Sequence, residues 1–567
     1  MGKEEEINES ASLMRGAPKA VIKPSAYSFE KTSHHHGVFS TLIKYLMWFG
    51  VRLLLILIWP LTRIRSLSYR HKPLPPITNQ LLLNSAQKTA LLIRTKQVSC
   101  VKVVEAFITR IRQVNPMLNA VVDERFNLAL EEAKQVDILL AASTKSVEEI
   151  GRDTPLLGVP LTVKESVAVK GCSNNAGRIK PKERIATDDA ETVRLLRQAG
   201  AIILCVTNTP ELCMNWETFN KATGTTNNPY DTRRTPGGSS GGEAALLSSG
   251  ASIVGVASDI AGSCRIPAMF TGVFGHKPSP GFVSNVGHMP SSEDKMWNTY
   301  FTIGLLARYA EDLPLVLHLM ISDREQAKSL RLLEPVIVQD IKVFYMEDDG
   351  SCTLTDGVDL DIKEGIRKAV HHLEYKQGIK AQKVNIDLED VFELVSMVLL
   401  KMNGINCPYQ EDDEHPEVWS HSVTKEVLKW LMFSSKFTTT TVLYGVIKKA
   451  ADCFSQRKID TLLAKKKDLM KKFRDMLGDN GVFLFPTFIN SAHYHYQIHY
   501  KFLNYGYVGL FNLLEMPVTN VTVGLGSNKL PVGFQVATSP GQDRLSMAIA
   551  KELESAFGGW VPPSNVL

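Results

Sequence analysis

Two glycine-flanked serine sites lie within residues 235–267, where the sequence reads TPGGSSGGEAALLSSGASIVGVASDIAGSCRIP. Ser239 and Ser240 form the first site, and Ser263 follows Ser239 by 24 positions in the second. Glycines beside a serine permit φ > 0 and a close approach of the backbone to a ligand, which leaves amide N–H groups free to point inward. Such N–H groups can stabilise an oxyanion. The pattern therefore indicates acyl transfer by a serine nucleophile.

A serine nucleophile is weak at its free pKa and needs a base beside it. The chain holds 14 histidines, which are the usual bases, and Lys164 is a second kind of candidate because it ends the apolar run GVPLTVK. Burial at a strand end would favour the neutral amine, which can accept a proton. A lysine at a strand end is more often a surface residue. The residues alone therefore leave the base open.

One local pattern favours a different enzyme class. Residues 238–242 match G-x-S-x-G, the nucleophile elbow of α/β-hydrolases, with Ser240 at the centre. An elbow must follow a buried strand, but the preceding NNPYDTRRTP is polar and is interrupted by Pro229 and Pro236. A central strand does not accommodate such prolines. We therefore exclude the α/β-hydrolase interpretation.

Three segments together resemble the amidase signature family: GVPLTVKE at 158–165, GGSSGG at 237–242 and DIAGSCRIP at 259–267. A further segment near the C-terminus, LPVGFQVATSPGQD, extends the resemblance over about residues 86–560. The motifs GHKPSPG, ELCM and FGGW are similar to the branch of the family that hydrolyses fatty-acid amides. The order of lysine, serine pair and second serine is far more specific than any one segment.

The resemblance implies a Ser-Ser-Lys triad that needs no cofactor and no metal. Lys164 would be the neutral base, and Ser263 would be the nucleophile that attacks the amide carbonyl. Ser239 would relay the proton across a cis peptide bond after Gly238. The same relay would return a proton to the leaving amine, and water would then hydrolyse the acyl-enzyme.

The resemblance also implies an oxyanion hole made of four consecutive backbone N–H groups, those of Ile260, Ala261, Gly262 and Ser263. Ser240 would support the relay by hydrogen bonding, and Arg265 would lie behind the catalytic groups. The family usually has glycine where this chain has Ala261. If position 261 must adopt φ > 0, alanine costs about 1 kcal/mol there and would tilt the N–H. This departure leaves a lipid-amide-binding pseudoenzyme as one alternative.

The region before the predicted catalytic domain at 86–567 divides into three segments. Residues 1–38 mix charge, Ser, Pro and Gly and predict a disordered tail. Residues 39–64 contain an apolar run about as long as a bilayer is thick, although Arg52 lies near its centre. A single spanning anchor, a monotopic insertion and a cleaved signal are the alternatives. Residues 65–85, with the sequence KPLPPIT, predict a proline-rich linker.

Composition narrows the class of partner. The formal net charge is +5 over 567 residues, from 64 Lys+Arg against 59 Asp+Glu, which argues against a nucleic-acid partner. The eight cysteines include no CxxC pair, which excludes a zinc ribbon and favours reduced thiols. Basic residues are denser after the anchor than before it, so the positive-inside rule predicts a cytoplasmic catalytic domain. The expected partners are a lipid amide and a membrane, with a homodimer as the alternative to a monomer.

After the linker the sequence predicts one continuous α/β domain, and the resemblance implies a twisted mixed central β-sheet covered by helices. Ser99 is expected to cap a helix that stops before Pro116. Residues 156–163 and Ile202–Thr207 predict buried strands, and residues 190–198 predict a helix between them.

Substrate class depends on two apolar insertions, at 389–404 and 426–449. They are either core helices or a membrane-facing cap that admits lipid. The segment HYHYQIHY at 493–500 has no carboxylate or cysteine to complete a metal site, so we expect a loop that lines the substrate channel. The predicted function is a membrane-associated serine hydrolase of fatty-acid amides. A glutamine amidotransferase A-type subunit is the other alternative, together with the pseudoenzyme.

Overall fold

The computed structural model describes residues 70–567 and the single positions 49, 53, 60 and 64, with the exception of 181–182, 293, 351, 353, 402–421 and 451–454. The predicted tail at 1–38 lies outside the described residues, and so does the predicted anchor at 39–64 apart from those single positions. Within the described residues, no helix combines the length and the apolar character needed to cross a bilayer.

Eleven strands of the described chain form one mixed sheet. In chain order the strands are β1 (Val121–Glu124), β2 (Pro160–Lys164), β3 (Ile202–Thr207), β4 (Phe219–Asn220), β5 (Gly224–Thr225), β6 (Val254–Asp259), β7 (Phe274–Lys277), β8 (Thr302–Ala307), β9 (Lys342–Tyr345), β10 (Ala381–Lys383), β11 (Gly481–Phe485), β12 (Val518–Leu525) and β13 (Pro531–Thr538). The order across the sheet is β1-β3-β2-β6-β8-β7-β12-β13-β11-β9-β10, and β4 pairs separately with β5. The predicted α/β domain with a mixed central sheet is confirmed.

Helices flank this sheet and pack against its strands. The α-helices are α1 (Ala86–Arg94), α2 (Cys100–Leu118), α3 (Phe126–Ala142), α4 (Val147–Asp153), α5 (Glu191–Gln198), α6 (Gly241–Ser248), α7 (Arg265–Thr271), α8 (Trp297–Tyr300), α9 (Asp312–Met320), α10 (Arg324–Ser329), α11 (Leu360–Gln377), α12 (Val391–Lys401), α13 (Val423–Leu431), α14 (Thr439–Ala450), α15 (Gln456–Leu477), α16 (Ile498–Lys501), α17 (Gly506–Leu513) and α18 (Asp543–Phe557). Short 3-10 turns occupy Gln80–Leu83, Glu211–Cys213, Val338–Asp340 and Phe502–Tyr505.

The parallel strands β3, β2 and β6 form the part of the sheet that positions the site. Every residue of these three strands is buried, which is typical of parallel strands covered on both faces. Val163 of β2 lies beside Val256 of β6 in register. Lys164 and Ser258 therefore reach the same carboxyl edge of the sheet, which is where ligands bind in open α/β folds.

The predicted elements agree with the observed ones except at the C-terminal end of α2 and the N-terminal end of β2. The strand Ile202–Thr207 is confirmed with those bounds, and the helix predicted before it is confirmed as α5. The predicted end of the first helix is wrong, because α2 continues through Pro116. This proline lies in the last turn, where its missing N–H removes only one hydrogen bond. The helix ends at Leu118, and Asn119 caps it in the left-handed conformation with φ 51°. The strand predicted at 156–163 begins later, as β2.

Residues 70–85, the described part of the predicted linker, pack along the domain. Ile77 pairs with Val566 near the C-terminus and is 1% exposed. The buried guanidinium of Arg110 in α2 donates to the carbonyl of Pro75 at 2.9 Å. This segment is therefore held against the catalytic domain rather than extended away from it.

The two apolar insertions differ in burial. Helix α12 in the first insertion packs against α15 and α17 and buries its apolar side chains, so the core interpretation describes it. Helices α13 and α14 in the second insertion leave a row of apolar side chains in solvent: Leu428, Leu431, Met432, Phe433, Leu443, Val446 and Ile447. The side chain of Phe433 is 97% exposed. We call α13 and α14 with the turn between them the apolar helix pair.

Candidate active site

Lys164 ends β2 and is fully buried. Its Nζ lies within hydrogen-bond distance of two hydroxyl oxygens, 2.6 Å from that of Ser239 and 3.0 Å from that of Ser258. Both partners are hydroxyls, which can accept and pass on a proton. The structure thus brings together the predicted base and the predicted relay serine, and it adds Ser258, which sequence reasoning missed.

The loop that holds Ser239 is fixed through its backbone. The Gly238–Ser239 peptide bond is cis. Thr209, which follows β3, donates its hydroxyl to the Ser239 carbonyl at 3.1 Å. Position 238 requires glycine, because a Cβ there would lie 2.6 Å from the carbonyl oxygen of Asn215. The Ser239 side chain is therefore directed to Lys164, and its carbonyl group is held by Thr209.

Ser240 contributes through its backbone and not through its side chain. Its hydroxyl oxygen is buried and has no hydrogen-bond partner in the described part of the chain, so the predicted support by that hydroxyl is absent there. The Ser240 N–H donates to the Ser263 carbonyl at 3.3 Å, and the Ser240 carbonyl accepts from Ala244 in α6. The first serine site therefore contacts the second through the main chain. The Ser240 N–H is available for this contact because Ser240 precedes the first turn of α6.

Asp259 shapes the loop that holds Ser263. Its carboxylate accepts the N–H of Gly262 at 2.8 Å and the N–H of Cys264 at 3.0 Å. Two nitrogens of the fully buried Arg265 bind the same carboxylate at 2.9 and 3.1 Å. Burial by itself would raise the pKa of Asp259, but the Arg265 guanidinium and the two amides lower it to about 2. The loop is therefore fixed by a charge pair that persists at neutral pH.

Arg265 also ties this loop to more distant elements. Its guanidinium donates to the Asn512 side chain at 2.6 Å and to the Gln535 side chain at 2.8 Å. It also donates to the carbonyl of Val508 at 2.9 Å. As expected, Arg265 therefore lies on the side of the loop that faces the protein interior. Its contacts join the loop to α17 and β13.

Three of the four predicted oxyanion-hole amides carry no hydrogen bond within the described residues, namely those of Ile260, Ala261 and Ser263. The Gly262 N–H is the exception, because it already donates to Asp259 and is not free for an oxyanion. The part that Gly262 plays is conformational. Its φ is +94°, and a Cβ there would lie 2.6 Å from the Val508 side chain.

The strain expected at Ala261 does not arise. Among the described residues, the non-glycine positions with positive φ do not include Ala261. Its carbonyl accepts a hydrogen bond from Trp216 Nε1 at 2.7 Å, which fixes this peptide unit. The Trp216 ring in turn stacks on Tyr505 at a centroid distance of 5.3 Å. Alanine is therefore compatible with the loop, and the reason for expecting a pseudoenzyme is removed.

Glu243 is a second residue that sequence reasoning missed. It lies in the first turn of α6, is fully buried, and accepts from the hydroxyls of Thr162 at 2.6 Å and Thr207 at 2.7 Å. Burial raises the pKa of Glu243 to about 8, although the two threonines and Lys164 oppose the shift. Burial therefore disfavours the charged form of Glu243. The available signal was a carboxylate inside the small-residue segment GGEAALL.

The segment 493–500 lies against the loop that contains Trp216. Glu217, the next residue, accepts the N–H of Tyr496 at 2.7 Å. Burial lowers the pKa of His493 to about 3 and that of His495 to about 4. Within the described residues, no group of three or more His, Cys, Asp or Glu side chains is placed to hold a metal ion.

The Amidase family model matches residues 102–546, which is most of the chain. The chain belongs to the amidase signature family. Fatty-acid amide hydrolase 2 of Homo sapiens is 40% identical to this amidase over 493 residues, which cover 86% of the amidase and 92% of the human protein. Fatty-acid amide hydrolase 2-A of Danio rerio is 38% identical over 498 residues, which cover 87% and 92%.

A solved structure of a fatty acid amide hydrolase superposes with a TM-score of 0.67 at 22% identity and covers 85% of this amidase and 86% of its own chain. That likeness shows a shared fold. The family predicted from the lysine and serine motifs is confirmed, and the amidase is an enzyme that hydrolyses amide bonds. Lys164, Ser239 and Ser263 all lie within the matched range.

Proposed function

We propose that this amidase is a membrane-associated serine hydrolase that cleaves fatty-acid amides, such as acyl-ethanolamides and primary acyl amides, to a fatty acid and an amine. Lys164, Ser239 and Ser263 form its catalytic triad. The observation that carries the proposal is the 2.6 Å contact from Lys164 Nζ to the Ser239 hydroxyl in a fully buried site. The free amides of the neighbouring loop supply the second requirement of acyl transfer.

The first step moves one proton along the two serines. Unprotonated Lys164 accepts the hydroxyl proton of Ser239, and Ser239 accepts that of Ser263 as the Ser263 Oγ bonds to the substrate carbonyl carbon. The carbonyl oxygen takes up the negative charge. The N–H groups of Ile260, Ala261 and Ser263 donate to it, which lowers the energy of the tetrahedral intermediate.

The second step releases the amine and then the acid. The carbon–nitrogen bond breaks as the leaving nitrogen takes the proton that Lys164 returns through Ser239. Water attacks the ester carbon of the acyl-enzyme and gives its proton to the same relay. Ser263 regains its hydrogen as the fatty acid leaves, so that one amide and one water yield one acid and one amine.

Two observations support a lipid substrate and a membrane. The curated relatives at 40% and 38% identity are named fatty-acid amide hydrolases. The apolar helix pair exposes Met432 and Phe433 in a segment that also contains Lys429 and Lys436, which is typical of helices that lie in a membrane interface. In this proposal residues 39–64 anchor the chain, and the positive-inside rule puts the catalytic domain on the cytoplasmic side.

A substrate panel tests the proposal. Oleamide, an acyl-ethanolamide, glutamine and a fatty ester are compared by kcat/KM in detergent, with Ser263→Ala as the inactive control. We expect both lipid amides to exceed glutamine by about 100-fold or more, because a long apolar chain contributes binding energy that glutamine lacks. A preference for glutamine would assign the chain to the amidotransferase A type, and binding without turnover would assign it to a pseudoenzyme.

A further inference from the structure

A polar cluster outside the proposed triad contacts Lys164 through Ser258. We call it the supporting cluster and define it as Ser166, Ser258 and His288. The Ser258 Oγ that accepts from Lys164 lies 3.0 Å from His288 Nε2, and the Ser166 Oγ lies 3.0 Å from the same nitrogen. On the other side of the ring, His288 Nδ1 lies 2.7 Å from the Pro290 carbonyl oxygen. His288 is buried, with 4% of its surface exposed.

The Pro290 carbonyl determines where the hydrogens of this cluster lie. A carbonyl oxygen only accepts, so His288 Nδ1 carries the hydrogen and donates it. Burial, and to a smaller extent Lys164, lower the pKa of His288 to about 3. The ring is therefore neutral near pH 7, and Nε2 has a single lone pair that the hydroxyls of Ser258 and Ser166 share.

We infer that His288 is a positioning residue for the catalytic lysine, an inference that rests on the proposed role of Lys164 as the base. By accepting the hydroxyl hydrogen of Ser258, His288 leaves Ser258 able only to accept from the lysine amine. The amine then directs an N–H at Ser258, and its lone pair is left for the hydroxyl hydrogen of Ser239. The direction of the proton relay is thus set from behind the base.

The surroundings of the cluster keep this arrangement in one protonation state. Lys164 faces His288, and Glu243 and Cys264 face Lys164. Burial raises the pKa of Glu243 to about 8 and raises the pKa of Cys264 well above its ordinary range, so the charged form of each group is disfavoured near pH 7. The ring of Phe301 packs on the ring of His288 at a centroid distance of 4.5 Å and shields it from water.

Loss of the acceptor at position 288 has a specific consequence. The hydroxyl hydrogen of Ser258 can then turn to the lone pair of unprotonated Lys164, where it competes with Ser239. The base is occupied for part of the time by a hydroxyl that leads to no nucleophile. Because substrate does not touch His288 in this scheme, the loss falls on kcat and leaves KM unchanged.

A matched pair of variants tests the inference. His288→Gln keeps an acceptor near the position of Nε2, whereas His288→Phe keeps the bulk of a ring without one. We expect His288→Phe to lower kcat by about 10- to 100-fold, with the acid limb of the pH–rate profile moved to lower pH because Ser258 now stabilises the unprotonated amine. His288→Gln should retain most of the activity and the position of the limb. Equal effects of the two variants would overturn the inference.

A double-variant cycle separates positioning from packing. Since Ser258→Ala removes the competing hydroxyl, the effect of His288→Phe on kcat should vanish in that background, and an undiminished effect would show a structural role only. His276→Phe is the control, since this buried histidine bonds Asp543 and Thr519. It should lower thermal stability and leave the acid limb in place. If His288→Phe does not fold, Ser258→Thr against Ser258→Ala gives the test: threonine should keep the limb in place, and equal profiles would overturn the inference.

The same experiments distinguish this inference from the proposed function. If Lys164→Ala keeps activity with the pH profile of the parent enzyme, Lys164 is not the base and both fail. If Lys164→Ala is inactive while His288→Phe matches the parent enzyme, only the role of His288 fails.

Discussion

The buried interior around Lys164 and the exposed apolar helix pair obey opposite rules. In the interior Lys164, Ser239 and Asp259 are completely buried, and each has a specific hydrogen-bond partner. In the helix pair Phe433 is 97% exposed and Met432 is 68% exposed. Burying a charged or polar group is costly without partners, and exposing large apolar groups is costly in water. The interior is therefore held in one geometry, whereas the helix pair presents an apolar surface to solvent.

One short segment joins the two regions. The carboxylate of Glu211 accepts from the Thr438 N–H at 2.8 Å and from the Thr441 hydroxyl at 2.6 Å, at the start of α14. Two residues earlier, Thr209 donates to the Ser239 carbonyl. From this difference we expect substitutions in the interior to change the rate of the chemical step. We expect substitutions in the helix pair to change the access of the substrate.

The largest effect is expected from Lys164→Ala in the interior. It removes the base, so activity at neutral pH should fall by about 10³- to 10⁴-fold. The remaining activity should rise with pH as hydroxide takes over proton removal. The measurement is the pH dependence of kcat/KM on oleamide, with thermal unfolding to confirm the fold. An unchanged profile would contradict the assignment of the base.

A smaller effect on the same step is expected from Gly262→Ala. The new Cβ would lie 2.6 Å from Val508, and φ is +94°, so the loop that presents Ser263 must shift. We expect kcat to fall by about 10- to 100-fold. Val508→Ala is the matched partner, because it relieves the contact and leaves the φ requirement. The double variant should recover only part of the activity, and full recovery would show that the backbone conformation is unimportant.

In the helix pair, Phe433→Ser should weaken binding to phosphatidylcholine vesicles by about 10-fold, because one large apolar side chain is removed from the interface. Its kcat/KM on a short water-soluble amide should be unchanged. Leu360→Ser, at another exposed apolar position (74% exposed), is the control and should not affect vesicle binding. Equal losses in both variants would remove the distinction between the helix pair and the rest of the surface.

The smallest effect on activity is expected from Glu243→Gln, which tests the interior by stability. Burial raises the pKa of Glu243 from 4.5 to about 8, so the folded state keeps a proton that the unfolded state loses. As pH rises from about 4.5 to about 8, the wild-type protein should therefore lose more stability than Glu243→Gln, which lacks the contribution of this carboxyl. Urea unfolding at pH 5 and pH 8 measures the difference. Parallel curves for the two proteins would show that Glu243 ionises normally.

The resemblance to the family implies that Lys164 and Ser239 lie together, and the structure has them in contact. The sequence itself predicts Ile202–Thr207, because a buried strand is continuously apolar. It does not predict the position of His288, which contacts Ser258, 30 positions earlier in the chain. Nor does it predict which donors are already in use, such as the Gly262 N–H on Asp259. Hydrogen-bond direction depends on three-dimensional neighbours, and no local pattern encodes it.

The most direct test of the account is the site at which a fluorophosphonate probe reacts with the full-length protein. The probe forms a covalent bond with an activated serine, and peptide mass spectrometry locates it. We predict labelling at Ser263, complete loss of labelling in Ser263→Ala, and strongly slowed labelling in Lys164→Ala. An unlabelled wild-type protein, or a label on any other serine, would contradict the claim that Ser263 is the nucleophile.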